Sequence, residues 1–123
     1  MTKYIFGFLL SGTFFLSGCY YDVENELYPV DPNQTCDTVN VGYTARIEPI
    51  IRTNCYVCHA GTAVAGGNIM LEGYTNLKNV DGARLYGAIS HAPGYSAMPK
   101  GGNQLADCDI KAIKSWIDTG KPQ

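Results

Sequence analysis

Two cysteines and a histidine stand close together in the stretch TNCYVCHAG, residues 53–61. Cys55 and Cys58 are three residues apart, and His59 follows directly. If this stretch is helical, the two thiols are about one turn apart and lie on the same side of the helix. The chemistry of the chain therefore depends on what this pair of thiols and the adjacent imidazole can hold.

A helix is predicted directly before the motif, over TARIEPIIRTN, residues 44–54. Ile47, Ile50 and Ile51 recur at the spacing of one apolar helix face. Thr44 is a suitable N-cap residue. Pro49 fits poorly, because it would lie inside the helix unless the helix begins later than Thr44.

Three kinds of site are compatible with a C-x-x-C motif, besides a chance arrangement. A thioredoxin-like disulfide needs a strand–helix context, and no run of residues shows the alternating pattern of a strand. A tetrahedral zinc site needs four ligands, usually from two such motifs, whereas this chain has one. His91, Cys36 or Cys108 could supply further zinc ligands, but they are scattered along the chain. Both the thioredoxin-like site and the zinc site are therefore disfavoured.

The third kind of site is covalent haem attachment, for which C-x-x-C-H is the sequence motif. Cys55 and Cys58 would each form a thioether with a haem vinyl group, and His59 would supply the proximal nitrogen to the iron. The sequence therefore favours one covalent haem c.

A second axial ligand would come from a later segment. Met98 lies in SAMPKGG, where Pro99 restricts the backbone and Gly101 and Gly102 allow it to turn close to a flat ligand. His91 is the rival candidate, and it could instead line the pocket or lie on the surface. Met70, in the apolar run NIMLE, is more readily explained as core packing.

The remaining pattern predicts an all-α domain of three to four short helices with long loops. Residues 107–120 carry Ile110, Ile113, Trp116 and Ile117 at helical spacing, with Asp107 as a possible cap and Gly120 as a stop. Residues 73–90 give one or two short helices, interrupted at Asp81-Gly82. Long glycine-rich loops in so small a domain are typical of a wrapped ligand.

The N-terminus is predicted to lie outside this domain. Lys3 precedes an apolar run, residues 4–16, of signal-peptide length. The following LSGC, ending at Cys19, resembles the lipobox of bacterial lipoproteins, in which the cysteine is lipidated; an ordinary signal peptide or a chance cysteine are the alternatives. We therefore expect a lipoprotein signal peptide over residues 1–18, a flexible tether over 19–35 and the haem domain over 36–123.

Five cysteines are an odd number for an exported protein. If Cys19 carries lipid and Cys55 and Cys58 belong to the motif, Cys36 and Cys108 remain. An oxidising compartment favours a disulfide between these two, and two separate buried thiols are the alternative. The net charge is only −2 and no basic cluster is present, which argues against nucleic acid as a partner.

The segment from Cys36 to Gly120 resembles class I c-type cytochromes, and more closely the single-haem lipoprotein cytochromes of bacterial envelopes. The resemblance is carried by IEPIIRTNCYVCH, GGNIMLEGY and MPKGGNQLADCDIKAIKSWIDTG. It implies His59 as proximal ligand, Met98 as distal ligand, and packing of Ile47, Ile50 and Ile51 against Ile113, Trp116 and Ile117. It also suggests Leu71, Tyr74 and Tyr86 as pocket walls, and it brings Cys36 near Cys108.

The function implied is electron transfer at the cell envelope, on the periplasmic or outer face of a membrane. The iron would cycle between Fe(II) and Fe(III) rather than bind a substrate, so we do not expect an enzyme. Redox donor and acceptor proteins would bind transiently, and the lipid would hold the domain at the membrane. A small haem enzyme of the peroxidase or dehydrogenase type, or a haem-based sensor, is the alternative if the distal side is open.

Overall fold

A computed structural model of the chain describes Thr35–Gln123, and the structural statements that follow concern these residues. The predicted signal peptide, Cys19 and all of the predicted tether except Thr35 lie outside the described residues.

All of the regular secondary structure in the described residues is helical. A π-helical turn, Tyr43–Ile47, leads directly into α1, Glu48–His59. Three further helices follow: α2 is Tyr74–Asn79, α3 is Gly82–Ile89 and α4 is Asp107–Asp118. No strand occurs in residues 35–123. The prediction of a small all-α domain with three to four short helices is therefore confirmed for this part of the chain.

The first helix differs from its predicted bounds, residues 44–54, at both ends. Thr44 does not cap it but lies inside the π-helical turn, which Gly42 precedes. The α-helix begins at Glu48, so Pro49 falls in its first turn, where a missing N–H costs no intrahelical bond. At the other end α1 continues through Cys55 and Cys58 to His59. The motif is therefore the last part of the helix rather than a loop after it.

The two central helices are separated where the sequence predicts a break. Asp81 caps α3, because its carboxylate accepts the backbone N–H of Arg84 at 2.7 Å. In α4, by contrast, Asp107 is the first helical residue and Ala106 occupies the N-cap position, without a side-chain cap. Asp107 forms an ion pair with Lys111 one turn later instead.

Helix α4 ends two residues before the predicted position 120. The N–H of Gly120 donates to the carbonyl of Ile117, and the N–H of Lys121 donates to that of Trp116. This pair of bonds is the Schellman arrangement. It requires a left-handed residue at its first position, and Gly120, with φ of +88°, supplies it.

Trp116 lies at the centre of the core and is completely buried. Its indole nitrogen donates to the carbonyl of Pro122 at 2.7 Å, and the same carbonyl accepts the N–H of Tyr43 at 3.2 Å. The Tyr43 and Trp116 rings lie 6.4 Å apart. Arg46 also reaches across to Asp109 of α4, at 2.8 Å. The π-helical turn and α4 are therefore held together by both apolar and polar contacts.

The apolar face predicted for the first helix joins this core. The buried cluster includes the following residues of the first and last helical segments: Ile47, Ile50, Ile51, Ile110, Ala112, Ile113 and Trp116. Ile117 is only partly buried. It packs against α3, where a Cβ added to Gly82 would lie 2.6 Å from its Cγ2 atom.

A disulfide joins Cys36 to Cys108, the second residue of α4. Nearby, the hydroxyl of Ser115 donates to the carbonyl of Thr38 at 2.8 Å. The segment before the π-helical turn is thus fixed along α4. Within residues 35–123 no helix is long and apolar enough to cross a membrane.

Removing the disulfide should destabilise the domain. The bridge spans 72 residues of sequence, and closing a loop of this size restricts the unfolded chain by about 4 kcal/mol in the chain-entropy model. We expect Cys36→Ser with Cys108→Ser to lower the free energy of unfolding in urea by about this amount. The parent protein unfolded under reducing conditions is the matched control and should give the same value. A double variant as stable as the oxidised parent would contradict the prediction.

Candidate haem-binding site

The final turns of α1 present the motif. Cys55 and Cys58 are free thiols; Cys55 is half-buried and packs against the core, whereas Cys58 is exposed. The helix ends at His59, because Ala60 is fully extended with φ of −119° and ψ of 173°. The helical geometry therefore places the two thiols about one turn apart, with the imidazole at the end of the helix.

A hydrogen bond from the His59 ring sets its orientation and its tautomer. The ring Nδ1 lies 2.8 Å from the backbone carbonyl of Ile69. A carbonyl only accepts, so Nδ1 carries the hydrogen and Nε2 keeps its lone pair. This is the arrangement that a metal-ligating histidine needs, with one nitrogen held by a neighbour and the other available. No pattern in the sequence indicated that Ile69 would provide this acceptor.

The loop after α1 folds back against the imidazole. The N–H of Leu71 donates to the carbonyl of His59 at 2.9 Å. Gly66 lies directly against the ring: a Cβ at this position would be 2.4 Å from Nδ1 of His59 and 2.6 Å from the carbonyl oxygen of Cys58. Only a glycine fits there without displacing the ring. The close approach of the His59 ring therefore explains why this position of the glycine-rich loop is a glycine.

The two thiols lie in different environments. Burial raises the pKa of Cys55 to about 11, so this thiol is protonated at neutral pH. Cys58 is exposed, and so is the preceding residue, Val57, at 91%. The inner thiol is thus part of the packed structure, and the outer one is accessible.

Tyr56, between the two cysteines, fixes the motif to the rest of the domain. Its ring packs against the core, and its hydroxyl accepts the N–H of Gly73 at 3.2 Å. Gly73 directly precedes α2. This role of Tyr56 was not predicted, because a C-x-x-C-H motif leaves its two middle positions unspecified.

The two candidates for a second axial ligand lie together, at the C-terminal end of α3. The N–H of Met98 donates to the carbonyl of Ala88 at 3.0 Å. Nε2 of His91 lies 3.1 Å from the carbonyl oxygen of Met98. The Met98–Pro99 peptide bond is cis, and Gly101 has φ of +74°. Met70 is partly buried in the loop after α1.

The three predicted pocket residues have different surroundings. Leu71 is buried and hydrogen-bonds to His59, next to the motif. Tyr74 lies against Tyr43 at 5.3 Å and donates its hydroxyl to the carbonyl of Lys121. The ammonium group of Lys114 lies over the Tyr86 ring, with Nζ 5.7 Å from the ring centroid. A role of all three residues in a pocket stays a prediction.

These donors suit a covalently attached haem. Two thiols lie on adjacent turns, an imidazole keeps Nε2 free, and a thioether side chain is available on a separate loop. The described residues contain no group of three or more His, Cys, Asp or Glu side chains placed to hold a metal ion.

Comparison with known proteins agrees with this chemistry. The chain is similar to cytochrome c6 of Bumilleriopsis filiformis, with 32% identity over 75 residues, which cover 57% of this chain and 83% of the relative. No family model matches the chain, and no solved structure matches it.

Replacing Gly66 by alanine should disturb the His59 ring. The added methyl group cannot be accommodated without moving the imidazole or the Cys58 carbonyl, and such overpacking costs about 1–3 kcal/mol. We expect Gly66→Ala to lower the free energy of unfolding by this amount in urea titrations. Gly102→Ala is the control, because a Cβ there meets its neighbours at an ordinary 3.5 Å. Equal stability of the two variants would show that the contact is unimportant.

Proposed function

This chain belongs to the c-type cytochromes, and on that premise we propose that it is an electron carrier with His59 and Met98 as the axial ligands of its haem iron. The observation that carries the proposal is the His59 imidazole, whose Nδ1–H is bonded to Ile69 so that Nε2 is free to bind a metal. In finer classification we propose a single-haem, class I cytochrome of the lipoprotein type.

The chain binds one haem c, held by covalent bonds to the protein. In this chain Cys55 and Cys58 would hold it through thioethers, and His59 would bind its iron through Nε2. The haem supplies a single-electron Fe(II)/Fe(III) couple. The protein contributes the remainder: the Ile69 carbonyl and the Gly66 backbone keep the imidazole in one orientation, and Tyr56 fixes the helix end that carries the thiols.

Met98 is preferred over His91 as the second ligand because of what the His91 ring contacts. Its Nε2 lies 3.1 Å from the Met98 carbonyl oxygen, and a carbonyl can only accept, so this nitrogen carries a hydrogen in that bond. Ligation through the same nitrogen would require the bond to break. The thioether of Met98 has no such competing bond.

Ligation by His59 and Met98 would fill both axial positions and leave no open site for a substrate. This favours electron transfer over peroxidase-type catalysis or gas sensing. A thioether ligand favours Fe(II) and raises the reduction potential relative to two histidines. The role of the side chains is then to hold both ligands in place in either oxidation state.

Donor and acceptor proteins would meet the domain near the motif. Residues 53–71 contain no acidic or basic side chain apart from His59, and Val57 and Val64 are exposed, at 91% and 70%. Contacts at this face would be largely apolar. For an electron carrier we expect them to be small and transient.

We further propose that the protein is exported and held at a membrane of the cell envelope by lipid on Cys19. The basis is the LSGC sequence after an apolar run of signal-peptide length. The Cys36–Cys108 disulfide supports export, because such bonds persist in oxidising compartments. Lipid attachment would raise the effective concentration of membrane-bound redox partners.

Spectra of the exported protein test the ligands. A pyridine haemochrome assay should report one covalent haem, and the ferric protein should show a sulfur-to-iron charge-transfer band. Met98→Ala should lose this band and lower the reduction potential, because the thioether that favours Fe(II) is gone. Met70→Ala and His91→Ala are the controls and should keep the band. A band that persists in Met98→Ala, or rapid cyanide binding by the parent, would reject His59/Met98 ligation.

Cell fractionation tests the lipid. The parent protein should be recovered with membranes and released only by detergent. Cys19→Ala should be recovered in the soluble exported fraction, because it has no thiol to receive a lipid. Cys19 is chosen because it is the cysteine of the LSGC sequence. Identical fractionation of parent and variant would mean that Cys19 is not the site of attachment.

A further inference from the structure

His91 occupies a backbone position at which glycine is usual. Helix α3 ends in the same hydrogen-bond pattern as α4: the N–H of His91 donates to the Ala88 carbonyl, and the N–H of Ala92 donates to the Gly87 carbonyl. This pattern needs a left-handed residue at its first position. In α4 that residue is Gly120, with φ of +88°, whereas in α3 it is His91, with φ of +52°.

A side chain at such a position has an energetic cost, since residues with a Cβ are disfavoured in the left-handed region. The same protein terminates another helix with glycine, so the hydrogen-bond pattern itself does not require histidine. The reason for a histidine at this position is therefore sought in the contacts of its imidazole ring. It reaches the backbone carbonyl of Met98, seven residues later, with Nε2 at 3.1 Å.

The segment from His91 to Met98, here called the Met98 loop, is closed on itself at the end of α3. The N–H of Met98 donates to the Ala88 carbonyl at 3.0 Å, and this carbonyl also accepts the N–H of His91. Midway, the ring of Tyr95 lies against Gly87, where an added Cβ would be 2.4 Å from the ring. Both ends of the loop thus meet at Ala88.

Met98 is consequently held through both of its backbone groups. Its N–H is bonded to the helix end, and its carbonyl is bonded to the His91 ring. With both groups fixed, the direction in which the side chain leaves the backbone is restricted. We propose that His91 is a positioning residue, which holds the Met98 loop so that the Met98 sulfur stays on the iron.

This inference rests on the proposed function, in which Met98 is the distal ligand. It assigns His91 a role distinct from ligation, and distinct from ending the helix. Two substitutions separate these roles. His91→Gly keeps the left-handed backbone and removes the imidazole. His91→Gln is less suited to the backbone but provides an amide N–H long enough to reach the Met98 carbonyl.

The experiment uses the ferric holoprotein and added imidazole, which competes with Met98 for the iron. The sulfur-to-iron charge-transfer band reports the fraction of protein with Met98 still bound. In His91→Gly we expect half-displacement at a roughly fivefold lower imidazole concentration, the effect of one lost hydrogen bond. His91→Gln should recover most of the resistance of the parent. If His91 serves only to end the helix, glycine should be at least as good as histidine, and glutamine worse.

Gln104→Ala is the matched control. Gln104 donates to the carbonyl of Ser90 at 3.1 Å. This bond has the same length as the His91 bond, but it ends at the residue beside His91 rather than at Met98. This variant should bind imidazole as the parent does. The inference is overturned if His91→Gly equals the parent, or if His91→Gln is no more resistant than His91→Gly.

Failure of the proposed function gives a different result. A parent protein with covalent haem but without the charge-transfer band has no Met98–iron bond for His91 to support. In that case both the ligation and the positioning role are rejected at the first spectrum, before any variant is compared.

Discussion

The burial of Trp116 is the contact on which the rest of the domain depends. Its indole is completely enclosed, and its N–H shares the Pro122 carbonyl with the backbone N–H of Tyr43. One carbonyl near the C-terminus therefore receives a bond from α4 and another from the π-helical turn. Because α1 continues directly from that turn, the packing of Trp116 also sets where the motif at the end of α1 lies. The site is remote from Trp116 in sequence but depends on it structurally.

The two segments that would face the iron are stabilised in the same way, through backbone groups rather than ion pairs. His59 is held by the Ile69 carbonyl, and Met98 is held at the C-terminal end of α3. The ion pairs of the described residues join the π-helical turn to α4 or lie within α1 and within α4, and they involve partly exposed side chains. Exposed pairs of this kind contribute little stability. Residues 53–71, which contain the motif, carry no acidic or basic side chain apart from His59.

Most of the helices could be predicted from the sequence, because a few strongly patterned residues mark them. The apolar spacing of Ile110, Ile113 and Trp116 predicted α4 closely, and Asp81-Gly82 marked the separation of α2 from α3. The end of α1 was missed because its last turn has no apolar periodicity: Val57 and Cys58 are exposed, and only Cys55 and Tyr56 pack inward. Its start was misplaced because a π-helical turn has no recognisable sequence signature.

The hydrogen bonds that orient the site were beyond sequence reasoning. The acceptor for His59 is the backbone carbonyl of Ile69, and every residue has such a carbonyl, so the sequence does not single it out. The same holds for the Met98 carbonyl that His91 contacts. A histidine near a methionine suggested two rival ligands. The structure instead places one side chain against the backbone of the other.

The Cys36–Cys108 bridge has a further consequence for the integrity of the molecule. Residues 36 to 108 form a covalent ring, and both the motif and the Met98 loop lie within it. A single peptide cleavage anywhere in that ring, for example in the glycine-rich loop after α1, opens the ring without separating the two pieces. The N-terminal segment and the C-terminal helix remain parts of one molecule after such a cut. The protein can thus be nicked in its longest loops and still keep every residue of its site in one covalent unit.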